Sequence, residues 1–281
     1  MTNTNTSLIT FGISHFCEKA RWALDWHDID YNEISWPPGL HQILSKRCGA
    51  KRATLPIVRD GEKVVQGSDA IIDWADAQSK NPSRQLTKEG SREIEERADS
   101  IIGWHVRRLA YAEIIPRFPQ YAKPGLFQNA SRTHRFLGDM MWPVTRRLIM
   151  QAYGVTDTAA AESRSILEVE LDWLDEKLGD GRPYLAGDSF SRADVAVASL
   201  LAPFVRPPEM PVYYEMSLTD DLKADCIRWQ SRPIMLWVRN QYKSNRLVGW
   251  LELDPLHCFV PLANIWGRGL ESTGGAKAAR S

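Results

Sequence analysis

The chain has 281 residues, 43% apolar and 25% charged, which is comfortable for two soluble domains. Its 35 basic residues balance 35 acidic ones, so there is no general electrostatic case for nucleic acid or anionic membrane as a partner. No apolar run approaches the roughly 20 residues that a membrane span needs.

The polar start, residues 1–7, has neither a basic stretch nor an apolar one, so nothing in it suggests secretion. Cys17, Cys48, Cys226 and Cys258 are scattered without metal-ligand spacing. No metal is expected, and free thiols in a reducing cytoplasm are. The 11 tryptophans are expected chiefly in cores.

Residues 8–13 are apolar and β-branched and read as a buried strand. From Phe16 the period changes: Phe16, Ala20, Ala23 and Leu24 share a helical face, with Ser14 where an N-cap stands. Residues 29–34 alternate as a second strand, and Trp36-Pro37-Pro38-Gly39 opens an irregular stretch. Residues 55–58 and 63–66, joined by Asp60-Gly61, read as a hairpin, and 68–78 as a helix begun at Ser68. The order β-α-β, then β-β-α, calls for one mixed four-stranded sheet with helices packed on it.

Polar residues around 80–90 read as a linker, after which helical periods dominate. The candidates are 92–115, 127–153, 159–178, 194–204 and 234–242, with Pro116, Pro119, Pro124 and Gly125 interrupting the series. The expected division is an α/β domain over 1–79, the linker, an all-α domain over 91–266, and a disordered Gly/Ala/Ser-rich tail over 267–281.

At this level the chain resembles a cytosolic glutathione S-transferase, a thioredoxin-like domain followed by an all-helical one. Ser14-His15-Phe16 with Arg21 is similar to that family's Ser-Pro-Phe-x4-Arg helix opening. Leu55-Pro56 resembles its cis-proline, and Gly67-Ser68-Asp69-Ala70-Ile71 its Glu-Ser-x-Ala-Ile segment. Phe190-Ser191-Arg192-Ala193-Asp194-Val195 resembles the helical domain's capping box, a folding element worth about 1 kcal/mol per cap bond.

The resemblance implies glutathione as co-substrate, a small hydrophobic electrophile as second substrate, and a homodimer. Ser14 would donate its hydroxyl to the glutathione sulfur at a helix N-terminus and hold a thiol of ordinary pKa about 8.5 ionised; the bland reading is that it only caps the helix. Cys17 has the second position of a Cys-x-x-Cys pair whose first position is Ser14. It is either a one-thiol nucleophile or a small core hydrophobe.

His15 replaces the family's proline and is expected to be a solvated loop residue. Lys19 and Arg21 are expected to be structural or surface charges. Leu55 would offer its backbone to the cysteinyl part of glutathione, before Pro56. Ser68 would bind the γ-glutamyl carboxylate at a helix start. Gly67 departs from the family's acidic or amide residue, with Asp69 as a substitute or a plain first-turn acid, and Thr54 departs from a frequent lysine. The second-substrate pocket is expected near Trp104, His105, Arg108 and Tyr111, roofed from 121–142.

Three functions follow: conjugation of glutathione thiolate to an electrophile, a glutathione-dependent reductase or ether-cleaving lyase using Cys17, or a non-catalytic binding member of the fold.

Overall fold

The computed structural model describes residues 5–246, so the expected tail and the end of the helical domain lie outside the described residues. Four strands form the sheet: β1 (Thr6–Thr10), β2 (Asn32–Ser35), β3 (Ile57–Asp60) and β4 (Lys63–Gln66). Their order is β2-β1-β3-β4, with β1 parallel to β2 and the other pairs antiparallel. The fold is thioredoxin-like in this half and all-helical in the other.

The central strand shows why its residues alternate. Leu8 pairs in register with Val58 and packs with Ala20, Leu24, Ile71 and Trp74, beneath α1 (His15–Trp26) and α3 (Ser68–Gln78). Ile9 pairs with Ile57 and faces Trp36 and Leu44 on the opposite side. β1 stops at Thr10, short of the expected Ile13, because the Phe11 carbonyl accepts the Ser14 N–H at 3.2 Å and turns the chain.

The stretch expected to be irregular contains α2 (Leu40–Arg47). Gly39, at φ 85°, lets the chain turn out of the proline pair into this helix. Leu40 and Leu44 carry the helical spacing, yet eight residues beside two prolines give too short a period to read.

The second half begins at α4 (Ser91–Arg97), which runs through a π-helical stretch, Ala98–Ile102, into α5 (Gly103–Ile114). Then come α6 (Pro119–Leu126), α7 (Arg132–Ala152), α8 (Asp157–Leu178), α9 (Arg192–Val205), α10 (Pro211–Tyr214), α11 (Asp220–Trp229) and α12 (Pro233–Asn245). Neither α10 nor α11 was expected, and α6 forms with Pro119 in its first turn although prolines were expected to interrupt there. α9 is apolar nearly all round and is buried at almost every position, the pattern of a central helix. It packs against α1, α4 and α12. The Asp194 carboxylate caps it, accepting from the Ser191 N–H at 2.8 Å, the Ser191 hydroxyl at 2.7 Å and the Leu185 N–H at 2.7 Å.

Charged side chains join the two halves. Lys19, expected to be a structural or surface charge, is the former: it is fully buried and pairs with Glu95 and Asp99, both at 2.6 Å. Arg192 is likewise buried, bonds Glu95 of α4, and reaches Asp73 of α3 at 2.6 Å and the Asp69 carbonyl at 3.2 Å. Arg21 is buried too, gripping Glu33 at 2.7 and 3.0 Å and the Phe11 carbonyl at 3.3 Å. All three are structural.

The polar connector between the halves is also fastened. Asp76 at the end of α3 accepts from the His27 ring at 2.9 Å, the Leu86 N–H at 2.8 Å, and the Thr87 N–H and hydroxyl at 2.9 and 2.7 Å. Burial would raise this carboxyl, but those bonds outweigh it and hold it near 2, below the ordinary 3.8. A depressed carboxyl contributes stability above the unfolded pKa and loses it as the pH falls through the folded one. Asp76→Asn is therefore expected to lower the unfolding free energy at pH 7 by about 2 kcal/mol. It should also shrink the loss of stability that the native chain shows on acidification from 3.8 to about 2, as read by urea titration at several pH values.

Candidate functional site

Three loops of the α/β half meet at the carboxyl end of β1: the turn 11–14, the start of α2, and residues 53–55. Together with α5, α6, α7 and Tyr213 they enclose a mostly apolar cavity of about 560 Å³.

Ser14 stands on its wall. It is the N-cap of α1, in extended backbone conformation, and its Oγ accepts the Cys17 N–H at 3.3 Å. Capping uses a lone pair of the hydroxyl, and its O–H, which lies beside the Cys17 thiol, can turn toward the cavity. The turn is pinned from the helical half, where the buried Tyr213 hydroxyl donates to the Ile13 carbonyl at 2.5 Å.

Cys17, one turn further along, is fully buried and is not on the wall. Its Sγ accepts the Phe11 N–H at 3.4 Å. Burial pushes the thiol up, against the opposing pull of the Arg21 charge and the Ser14 contact. Of its two expected readings, this is the environment of the core hydrophobe.

His15, expected in solvent, is instead buried at the start of α1 with its Nε2 3.1 Å from the Gly103 carbonyl. Burial first, then the nearby Arg107 charge, lower its pKa to about 3, against the raising effect of that bond. It is a neutral ring at neutral pH. It owes its place to Phe16 and α5, which the local sequence does not reveal.

Leu55 lies on the wall, and the Leu55–Pro56 bond is cis. Gln66 at the end of β4 steadies this loop: its Nε2 donates to the Arg52 and Thr54 carbonyls at 2.5 and 2.9 Å, and its Oε1 accepts the Arg52 N–H at 3.0 Å. The Pro56 carbonyl accepts the Gly67 N–H at 3.1 Å, so the start of α3 sits beside the cis-proline.

Gly67, rather than Ser68, is the cap residue of α3, with φ 104° and ψ 142°. That φ lies in the region that favours glycine, and a Cβ there would also have to displace the exposed Asp69 carboxylate, 2.6 Å away. Ser68 is buried in the first turn and Asp69 is exposed; neither lines the cavity itself.

On the helical side, Tyr111 lines the cavity as expected, but Trp104 and Arg108 do not. Trp104 is 39% exposed and packs on Tyr153 at 5.0 Å. Arg108 bonds the Tyr153 carbonyl at 3.2 Å and Glu162 at 2.7 Å, and His105 contacts Ser163 at 3.1 Å. Besides Val106, the residues of α5 facing in are Arg107, Ala110, Tyr111 and Ile114, a spacing of i, i+3, i+4, i+7. Arg107 was missed, although it lies one turn from Tyr111 and so on the same face.

The expected roof is partly corrected as well. Phe136 and Met140 project outward at 65 and 66% exposure, whereas Leu148 and Ile149, further along α7, close the cavity. His41 is a further wall residue that the sequence did not single out. It stands edge-on to Phe11 at 4.8 Å, and burial lowers its pKa to about 4. Among the described residues no cluster of three or more His, Cys, Asp or Glu could hold a metal ion, and no helix is long and apolar enough to cross a membrane.

Comparison with known proteins gives the same two halves. Residues 8–83 match the glutathione S-transferase N-terminal domain and residues 139–212 the glutathione S-transferase C-terminal domain. Glutathione S-transferase TCHQD of Arabidopsis thaliana is 27% identical over 192 residues, 66% of this chain and 71% of that one. Among solved structures, a glutathione S-transferase of Ceriporiopsis subvermispora in complex with glutathione shares the fold with a TM-score of 0.59 at 14% identity, over 87% of this chain and 99% of that one. A beta-etherase of Sphingobium shares it at 0.54 and 17% identity, over 85% and 100% of the two chains. With both domain signatures in sequence order, and a thioredoxin-like half joined to a helical one around a shared cavity, this chain belongs to the glutathione S-transferase family.

Proposed function

We propose that the protein is a glutathione-dependent transferase in which Ser14 holds the glutathione sulfur as thiolate for attack on an electrophile in the apolar cavity. The observation that carries this reading is the position of the Ser14 hydroxyl. It lies on the cavity wall at a helix N-terminus, with its oxygen accepting the cap bond and its O–H able to turn from the Cys17 thiol to a ligand. A donated hydrogen bond and the positive end of the helix both favour the anion.

Leu55 keeps its N–H and C=O out of the hydrogen-bond network of the described residues, which suits them to pair with the cysteinyl backbone of the tripeptide. Ser68, with the backbone N–H groups that open α3, would take the γ-glutamyl carboxylate. In the reaction the thiolate pair forms a carbon–sulfur bond, and the electrophile's leaving group departs with its own pair, or its π-bond receives the electrons. Holding both partners in one crevice supplies the proximity term. A reductase or ether-cleaving chemistry run by Cys17 has less support, since burial closes off that thiol and raises its pKa.

Ser14→Ala is expected to cut turnover with glutathione and a test electrophile by roughly 10- to 100-fold at pH 7, the worth of one hydrogen bond to an ion. The bound thiol pKa is depressed in the native enzyme and rises in the variant. The deficit should therefore narrow above about pH 9, where even an unassisted thiol ionises. An equal deficit at every pH, or none, would count against Ser14, and a calorimetric titration with glutathione that gives no heat would remove the whole reading. His15→Gln is expected to leave the apparent pKa of the rate in place between pH 5 and 8, because the native ring, with a pKa of about 3, is already neutral there.

A further inference from the structure

The guanidinium of Arg107 is held at the cavity without a counter-ion among the described residues. It lies 5.1 Å from the Phe16 ring centre and 5.2 Å from that of Tyr153, its Nε is closed off from solvent with no hydrogen-bond partner, and no carboxylate of the described residues is within ion-pair distance. Other half-buried arginines use their guanidinium groups: Arg146 and Arg206 bond backbone carbonyls, and several more are paired with carboxylates. Arg108, the next residue, bonds Glu162; Arg21 bonds Glu33; Arg97 bonds Glu170; Arg164 bonds Glu113 and Asp225.

A partly desolvated cation is costly unless something compensates it. Two aromatic rings supply part of that compensation, while its N–H groups make no hydrogen bond among the described residues. The titratable neighbours on the wall do not neutralise it: His15 has a pKa of about 3 and Tyr111, raised by burial, of about 12, so both are uncharged at neutral pH. Around it the wall is apolar, with Ala110, Ile114, Leu148 and Ile149.

We propose that Arg107 determines the specificity of this cavity by binding the anionic head group of an otherwise apolar second substrate. The Tyr111 hydroxyl, one helical turn along α5, serves as a second donor. The substrate class is a hydrophobic, aromatic-sized body carrying one carboxylate, sulfonate or phenolate. The idea rests on the transferase reading for the statement that this anion is a second substrate. The binding itself rests only on the cavity.

The test is calorimetric titration of the full chain, with and without saturating glutathione, using a matched pair of probes, biphenyl-4-carboxylate and the neutral biphenyl-4-carboxamide. The native protein is expected to favour the acid by about tenfold or more, the worth of a hydrogen bond to a charged group. Arg107→Met should bring the acid down to the level of the amide with little change in amide affinity. Arg107→Lys should keep part of the preference, and Tyr111→Phe should reduce it by a smaller factor. Thermal melts verify that each variant is folded, and Arg107→Gln stands in if the methionine variant is not.

Equal affinity for the two probes in the native protein overturns the proposal. So does an Arg107→Met variant that keeps the preference, or one that weakens both probes alike. A variant that alters glutathione binding while leaving the acid–amide difference intact also overturns it, by assigning the cation to the tripeptide. Acid preference in a protein that gives no heat with glutathione would sink the transferase reading and leave the anion site standing.

Discussion

The architecture hangs on a buried chain of charges: Lys19 of α1, Glu95 of α4 and Arg192 of α9, extended to Asp99 and Asp73. Removing one member of such a chain leaves an uncompensated charge in a low-dielectric interior, typically at a cost of about 3–5 kcal/mol. Few alternative packings of α1, α4 and α9 satisfy all of these groups, so the chain fixes one. The consequence reaches the site directly. Ser14 begins the helix that carries Lys19, and the cavity face of α5 continues the helix that carries Glu95 and Asp99. The two walls of the crevice are thereby set apart at a distance that neither half could define alone.

Local devices then refine what the charge chain frames. The Tyr213 hydroxyl holds the turn before Ser14 from the helical side, and the Gln66 amide holds the loop before Leu55 from the sheet side. Asp76 collects four donors from α1 and the connector, so the segment between the halves is anchored. These groups act on the position of others rather than on a ligand. They explain how loops, which are ordinarily the loosest parts of a fold, can form a defined wall.

Much of this was legible in the chain itself, where the signal is local. The strand-to-helix switch at Ser14, the hairpin 57–66, the X-Pro at Leu55 and the Ser191–Asp194 cap each rest on residues within a few positions of one another. What escaped depends on partners distant in sequence. His15 is buried because Gly103 lies against it, and Lys19 because Glu95 and Asp99 do. α2 was hidden by its brevity and by the prolines before it, and α11 by a weakly patterned stretch between longer apolar ones. The different surroundings of Ser14 and Cys17 likewise show only in burial, which spacing does not give: three residues apart on one helix start, one lines the crevice and the other lies in the core.

The π-helical stretch Ala98–Ile102 lies between α4, anchored by the buried charges, and α5, which faces the crevice. Wider i→i+5 turns accommodate an additional residue, so a face counted forward from Ile94 arrives at α5 out of phase. That stretch works as a buffer between an anchored segment and a crevice-facing one. Loss of the additional residue would let it close to an ordinary α-helical turn, so that Arg107 and Tyr111 keep their orientation while α4 stays clamped. The widened turn can thus take up the gain or loss of one residue between the clamped helix and the crevice wall, provided the change spares Asp99, which lies in the stretch and pairs with Lys19.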